Sequence, residues 1–328
     1  MKKNIILIIF ISFVFMQGEI GGYAIFNYTG STQQFDIDRS YLQYTNNISD
    51  DLFFKMRLDV GRDTDDTGDT KLSAYLKNAY VDWKCNSGGK FSIGLISTNS
   101  FGVQEKNWGY RFISKSVVDL YGMTKTADFG IGYSHDFGDF NMSMQLVNGE
   151  GYKENFDSGN DNDDKATLYL RLMYGEKKLN KNDGFNFGIV CDYNYKDNDN
   201  EFPNNIMYNN SLTGLFGAWA GYNFRLGAEH NSRKYEDGII ETASAVYFNY
   251  SVNDRMDLFL RHDMNDENID DEWIDANSNG LDMASNTMLG MVWNATKGLY
   301  FAPNVTISQE GDNSDSVNEY RLTCMFKY

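Results

Sequence analysis

From Leu52 to Val60 the chain reads Leu-Phe-Phe-Lys-Met-Arg-Leu-Asp-Val, with apolar side chains at 52, 54, 56, 58 and 60. Phe53, Lys55, Arg57 and Asp59 stand between them. Side chains of a strand point to alternate faces, so this segment presents one apolar face and one charged face. A soluble sheet would turn the charged face to water and the apolar face to a core. A membrane barrel would turn the apolar face to lipid and the charged face to an aqueous interior. The number of such strands, and the way they are joined, separates the two.

About sixteen segments repeat the alternation. They run approximately over 20–28, 35–46, 51–60, 74–85, 90–97, 127–136, 140–148 and 166–175, then over 184–194, 211–220, 222–231, 241–251, 255–263, 285–294, 299–308 and 318–328. Their length is near the ~10 residues that a tilted membrane strand needs. Short connections such as 47–51, 86–89, 137–139, 252–254 and 296–298 alternate with longer polar ones at 61–73, 98–126, 149–165, 195–210, 232–240, 264–284 and 309–317. The connections 29–34 and 176–183 blur the rule. A soluble sandwich has no reason to place every long loop at one end, whereas an outer-membrane barrel does so, with short periplasmic turns and long outer loops. Tyr44, Trp83, Tyr174, Tyr250, Trp293 and Tyr328 close the apolar face near the turn ends and form an expected aromatic girdle. The final Tyr320–Tyr328 is apolar at every second position and ends on an aromatic residue, like the signal such barrels present to their assembly machinery. The expected fold is all-β: a transmembrane antiparallel barrel of about sixteen strands over 19–328.

Composition fits that reading. The 328-residue chain is 15% aromatic, with 30 Gly and only 2 Pro, and contains no long apolar helix. Met1-Lys-Lys-Asn4 followed by an apolar run to Met16 has the form of a secretory signal peptide, expected to occupy 1–18. The net charge of −17 argues against nucleic acid as a partner. Cys85, Cys191 and Cys324 are odd in number and far apart, and read as lipid-facing or turn residues without a disulfide framework. An enzyme would need a placed general base. The three histidines, His135, His230 and His262, fall by parity on the lipid side or at strand ends, so no catalytic residue is expected. No cofactor is expected either. Asp275-Ala-Asn-Ser-Asn-Gly280 matches half of a calcium-loop pattern, but position 286 is Asn where the bidentate acid belongs, so no metal site is assigned.

Several segments resemble the phosphate-selective porin O and P family. They are Arg39-Ser-Tyr-Leu42 with Asp50–Asp59, Leu76-Lys-Asn-Ala-Tyr-Val-Asp82 with Gly94, Asp128-Phe-Gly-Ile-Gly132, Asn148-Gly-Glu-Gly151 and Leu260-Arg-His-Asp263. The resemblance implies an outer-membrane porin, a homotrimer in lipid, that passes small hydrophilic solutes or inorganic anions by diffusion.

By parity the inward-facing set includes Arg39, Lys55, Arg57, Asp59, Asp82, Arg171, Arg225, Glu229, Arg261, Asp263 and Arg321, a mixed-charge lining for a water-filled pore. The connection 98–126 stands apart. It carries Lys106, Arg111, Lys115 and Lys125 against Glu105 and Asp119, while other long loops are acidic, as at Asp63, Asp65, Asp66 and Asp69 or Asp157, Asp161, Asp163 and Asp164. It also holds Phe101, Trp108, Tyr110, Phe112, Val117, Val118, Leu120 and Tyr121, too much apolar surface for a loop free in water. It must pack against something. In porins the third long loop folds into the barrel, and this loop has that ordinal position. The four cations are therefore expected to form an anion-attracting constriction; the alternative is a loop packed over the barrel rim or at a subunit contact. The alternatives are a non-selective or cation-preferring pore, governed by acidic loops at the mouth, or a plugged barrel serving as adhesin or scaffold.

Overall fold

The computed structural model describes residues 18–64, 70–153, 166–194, 210–235, 239–268, 284–311 and 314–328. The expected signal segment, apart from Gly18, lies outside the described residues, as do most of the acidic loop residues and Asp275–Gly280. The strands are β1 (Glu19–Thr29), β2 (Gln34–Asn47), β3 (Leu52–Thr64), β4 (Thr70–Lys84), β5 (Lys90–Ser97), β6 (Ala127–Phe137), β7 (Phe140–Val147) and β8 (Thr167–Gly175). They continue as β9 (Gly184–Asn194), β10 (Ser211–Gly221), β11 (Phe224–Lys234), β12 (Ile240–Asn253), β13 (Met256–Asn268), β14 (Ala284–Thr296), β15 (Leu299–Glu310) and β16 (Val317–Lys327). Each pairs antiparallel with its sequence neighbours, and β1 pairs with β16 from Tyr23↔Lys327 to Thr29↔Arg321, so the sheet closes. Closure leaves no edge, which is the condition for a sheet to cross a bilayer.

The outward faces carry Leu42, Met56, Leu76, Ile93, Ile131, Met144, Leu215, Phe248, Leu260 and Leu289, all exposed. A continuous apolar exterior of this extent requires lipid as its solvent. No helix among the described residues is long and apolar enough to cross a membrane. At the turn end, outward rings meet across strands: Trp83 on Phe91, Tyr174 on Phe187, Phe224 on Tyr250 and Trp293 on Phe301, with centroids 4.8–5.9 Å apart. Ring pairs at this spacing form a belt where headgroups begin. The three cysteines are free.

Two departures from the expected strand boundaries have local causes. The β3–β4 hairpin rises to 64 and 70, so the loop expected over 61–73 shrinks to 65–69. Its upper rungs are polar, and hydrogen bonding continues where the alternation signal stops. The two-residue turn Tyr222-Asn223 has positive φ at both positions (50° and 67°), the signature of the hairpin turn whose twist matches its strands. Because the two apolar runs nearly abut there, the sequence offers no obvious break.

Candidate pore and its charged lining

The loop 98–126 lies inside the barrel and holds two short helices, α1 (Gln104–Trp108) and α2 (Val117–Leu120). Trp108, Tyr110, Phe112 and Ile113 pack on the inward side chains Ile25, Tyr247, Phe259, Met288, Val292 and Ala302. Phe101, Val117, Val118 and Met123 pack on Leu212, Ala243 and Ala245, and Val103 packs on Met173, Val190 and Phe216. The loop therefore lines the wall from β8 through β15 to β1. Trp108 is fully buried; its indole N–H donates to the Ser114 carbonyl at 3.1 Å, and its ring meets Tyr247 and Phe259 at 5.5 and 5.7 Å. Burying a side chain of this kind stabilises the docked loop by about 1.5–3 kcal/mol.

Polar contacts fix the loop's register on that wall. Asn107 and Asn186 exchange amide hydrogen bonds at 2.8 Å, tying α1 to β9. Gly109 closes α1 in the left-handed region (φ 84°), and a β-carbon there would collide with the Arg225 guanidinium. That clearance lets Arg225 donate to the Trp108 carbonyl at 3.0 Å, where Asn249 also donates at 3.0 Å. Glu229 accepts the Val117 N–H at 3.1 Å at the start of α2.

These contacts alter the role expected for several lining residues. Arg225, Glu229, Arg261 and Asp263 do face inward, but they lie behind the loop and hold it. Arg261 donates to Asp263 at 2.6 Å, both side chains are wholly buried, and the guanidinium lies 5.1 Å from the Trp108 ring centroid. Glu229, Arg261 and Asp263 are buried beneath the loop, whereas Arg225 is half-buried and lines a cavity beside it. Arg321, on the same barrel half, pairs with Glu319 at 2.6 Å.

The opposite wall is charged. A β-bulge on β4 leaves Lys77 between the pairs Arg57↔Asn78 and Leu58↔Leu76, so Lys77 and Asn78 both turn inward. Asp59 gathers Arg39 (3.0 Å), Lys77 (3.4 Å) and the Tyr152 hydroxyl (2.6 Å). Arg57 donates twice to the Gln43 side-chain oxygen, at 3.2 and 2.7 Å. Asp82 accepts from Lys90 at 2.7 Å. Lys55 has no carboxylate within ion-pair distance, and its ammonium lies 5.9 Å from the Tyr80 ring centroid. On β8, Arg171 donates to the Asn141 amide oxygen at 2.9 Å and has no carboxylate partner.

Of the four loop cations expected to form one constriction, Arg111 and Lys115 meet at one carboxylate, Asp119. Arg111 pairs with Glu105 at 2.6 Å and lies 3.7 Å from Asp119, which also takes Lys115 at 3.2 Å. Lys125 sits at the root of the loop, where its carbonyl accepts from the Thr98 hydroxyl at 2.5 Å. Lys106 alone of the four points from α1 into the lumen without a carboxylate partner. Its pKa lies below the ordinary lysine value, first through burial and then through the charges of Arg171 and Lys178; Glu105 opposes the shift. The neighbouring Glu105 carboxyl is raised by burial, against the pull of Arg111.

Two contributors escaped the sequence reading. Lys77 is announced by a change of parity, from apolar Leu72, Ala74 and Leu76 to apolar Ala79, Val81 and Trp83, which marks the extra residue. The Lys178 turn, 176–183, folds up against the barrel through Leu179, buried with Ala218 and Ala220. Nothing in its polar sequence signals that direction.

A closed sixteen-strand barrel with an apolar exterior, an inserted third loop and a charged interior is the architecture of outer-membrane porins. Residues 16–174 match the family model of the phosphate-selective porin O and P, so the resemblance covers nearly half of the chain. No curated protein matches the sequence. Among solved structures, the fold is similar to the anion-selective porin from Comamonas acidovorans (12% identity, 95% of this chain and 99% of that one, TM-score 0.59). It is also similar to OmpF of Salmonella typhi (13%, 95% and 97%, TM-score 0.65) and OmpT of Vibrio cholerae (12%, 95% and 97%, TM-score 0.62).

Proposed function

We propose that the protein is a passive diffusion channel for small hydrophilic solutes that prefers anions. The observation that carries the preference is the set Lys55, Lys106 and Arg171. These cations project into the lumen from β3, the inserted loop and β8, and none has a carboxylate within ion-pair distance. Mutual electrostatic influence links Lys106 to both Lys55 and Arg171. Unneutralised charge inside a low-dielectric wall attracts counter-ions far more strongly than charge in bulk water. Arg111 and Lys115, being paired, add little to that field. The anion-selective Comamonas porin of like fold agrees with this reading.

The remaining parts of the proposal follow from the same class. Residues 1–18 direct export, β16 with Tyr328 presents the assembly signal, and three copies associate in the outer-membrane lipid, as OmpT of Vibrio cholerae does in its trimer form. Substituting Lys55→Gln and Lys106→Gln together tests the assignment. The chloride-over-potassium permeability ratio should fall severalfold, while Arg111→Gln and Lys115→Gln leave it near the parental value. The opposite pattern would return the constriction to the paired residues.

A further inference from the structure

Along β1–β4 the lumen wall alternates tyrosine rings with cations. Tyr75, Asp59, Tyr41 and Tyr23 stand opposite one another on successive strands, in one cross-strand row. Tyr152 approaches Tyr75 edge-on at 6.3 Å, and Tyr23 meets Tyr41 edge-on at 4.9 Å. Cations occupy the faces between them. The Lys77 ammonium lies 4.8 Å from the Tyr152 centroid and 5.3 Å from that of Tyr41, and the Arg57 guanidinium lies 4.9 Å from Tyr41. At the turn end of this row a cavity of about 490 Å³ opens between the wall and the inserted loop. Tyr23, Arg57, Arg111, Phe112, Met325 and Lys327 are among its lining residues.

The chemistry of that cavity is specific in kind. Arg57 spends its Nε and one terminal nitrogen on the neutral Gln43 amide, so its charge has no counter-ion. Lys327 has no carboxylate within ion-pair distance, and Arg111 is shared with Glu105. Glu19 is a lining carboxylate, and it is exposed at the cavity's edge. A bare inorganic anion would satisfy the guanidinium but leave the partly buried Tyr23 and Met325, at the edge of the cluster that holds Phe112, against water. A solute with one carboxylate on a flat apolar ring satisfies both halves: the charge goes to Arg57, and the ring lies between Tyr23 and Phe112.

We propose that this cavity is a binding site for small aromatic carboxylates, and that Arg57, Tyr23 and Phe112 select them. The inference rests on the anion-preferring reading above for the charge of the solute. It adds a preference for a ring that the unpaired lysines of the constriction do not supply. The tyrosine–cation row from Tyr152 to Tyr23 then offers successive weak contacts, which favour passage over capture.

Benzoate, cyclohexanecarboxylate and acetate, added in turn to the full-length channel in a planar bilayer, test it. Each is titrated against the potassium chloride current, and the current reports occupancy whichever ion carries it. Benzoate should reduce the current at a concentration about tenfold below acetate, as ring and cation contacts of this size imply. Arg57→Gln and Tyr23→Leu should each raise the half-inhibiting concentration of benzoate about tenfold, leaving that of acetate unchanged in Tyr23→Leu. Phe112→Leu replaces Tyr23→Leu if the latter fails the heat-modifiability test of folding. Equal potency of the three acids, or benzoate inhibition indifferent to these substitutions, would overturn the inference. The reversal potential in the same bilayer reads the anion preference separately: a cation-selective pore still inhibited by benzoate through Arg57 would refute that preference and leave the site standing.

Discussion

The fate of each cation in this barrel depends on whether a carboxylate reaches it. Arg111 and Lys115 share Asp119, Arg111 also pairs with Glu105, Arg39 and Lys77 share Asp59, and Arg261 is held by Asp263, whereas Lys55, Lys106 and Arg171 have no such partner. Pairing of this kind is invisible to parity, which assigns a face but no partner, so the sequence yields the inward set and not its electrostatics. Two predictions belong here. Asp59→Asn removes the shared counter-ion of Arg39 and Lys77 and should raise the chloride-over-potassium permeability ratio; an unchanged ratio would show those cations to lie off the ion path. Lys106 has a pKa below the ordinary lysine value, so it loses its charge at lower pH than an exposed lysine does. Anion preference should therefore decline as the pH rises through the pKa of Lys106, and Lys106→Arg, which keeps its charge, should lessen that decline. A Lys106→Arg channel that still lost its preference over the same range would point to another group.

The inserted loop shows what an element's sequence does and does not reveal. Eight large apolar residues in a connection demand a packing partner, and that much is legible. The partner surface is not, because Tyr247 and Phe259 sit on strands whose inward faces also carry charge, and only the closed barrel brings them under one loop with Met288 and Val292. The turn 176–183 is a parallel case: a single buried Leu179 decides its direction. Trp108→Ala should cost about 3–5 kcal/mol of loop docking. Because the strand ladders are untouched, the folded barrel should persist by heat modifiability while single-channel conductance rises and becomes noisy. A quiet channel of parental conductance would mean that Trp108 does not hold the loop.

At the scale of the whole molecule, sixteen strands, their order and the aromatic belt are legible, because lipid imposes period-two alternation and a fixed strand length on every segment. Loop height is not, since polar rungs above the bilayer pair without leaving a pattern, as the β3–β4 hairpin does up to Thr64 and Thr70. The chain as a whole is acidic, with a net charge of −17, yet Lys55, Lys106 and Arg171, which have no carboxylate within ion-pair distance, face the lumen. These opposing fields make the sign of selectivity the central question. The measurement that addresses it directly is the reversal potential of the purified, refolded protein in a planar bilayer across a potassium chloride gradient. The account requires the sign of an anion-selective pore, because an ion must pass Lys55, Lys106 and Arg171 at close range and meets the outer acidic residues only through screening salt. A potential of cation-selective sign would place control at the acidic mouth and contradict the assignment of the lumen cations.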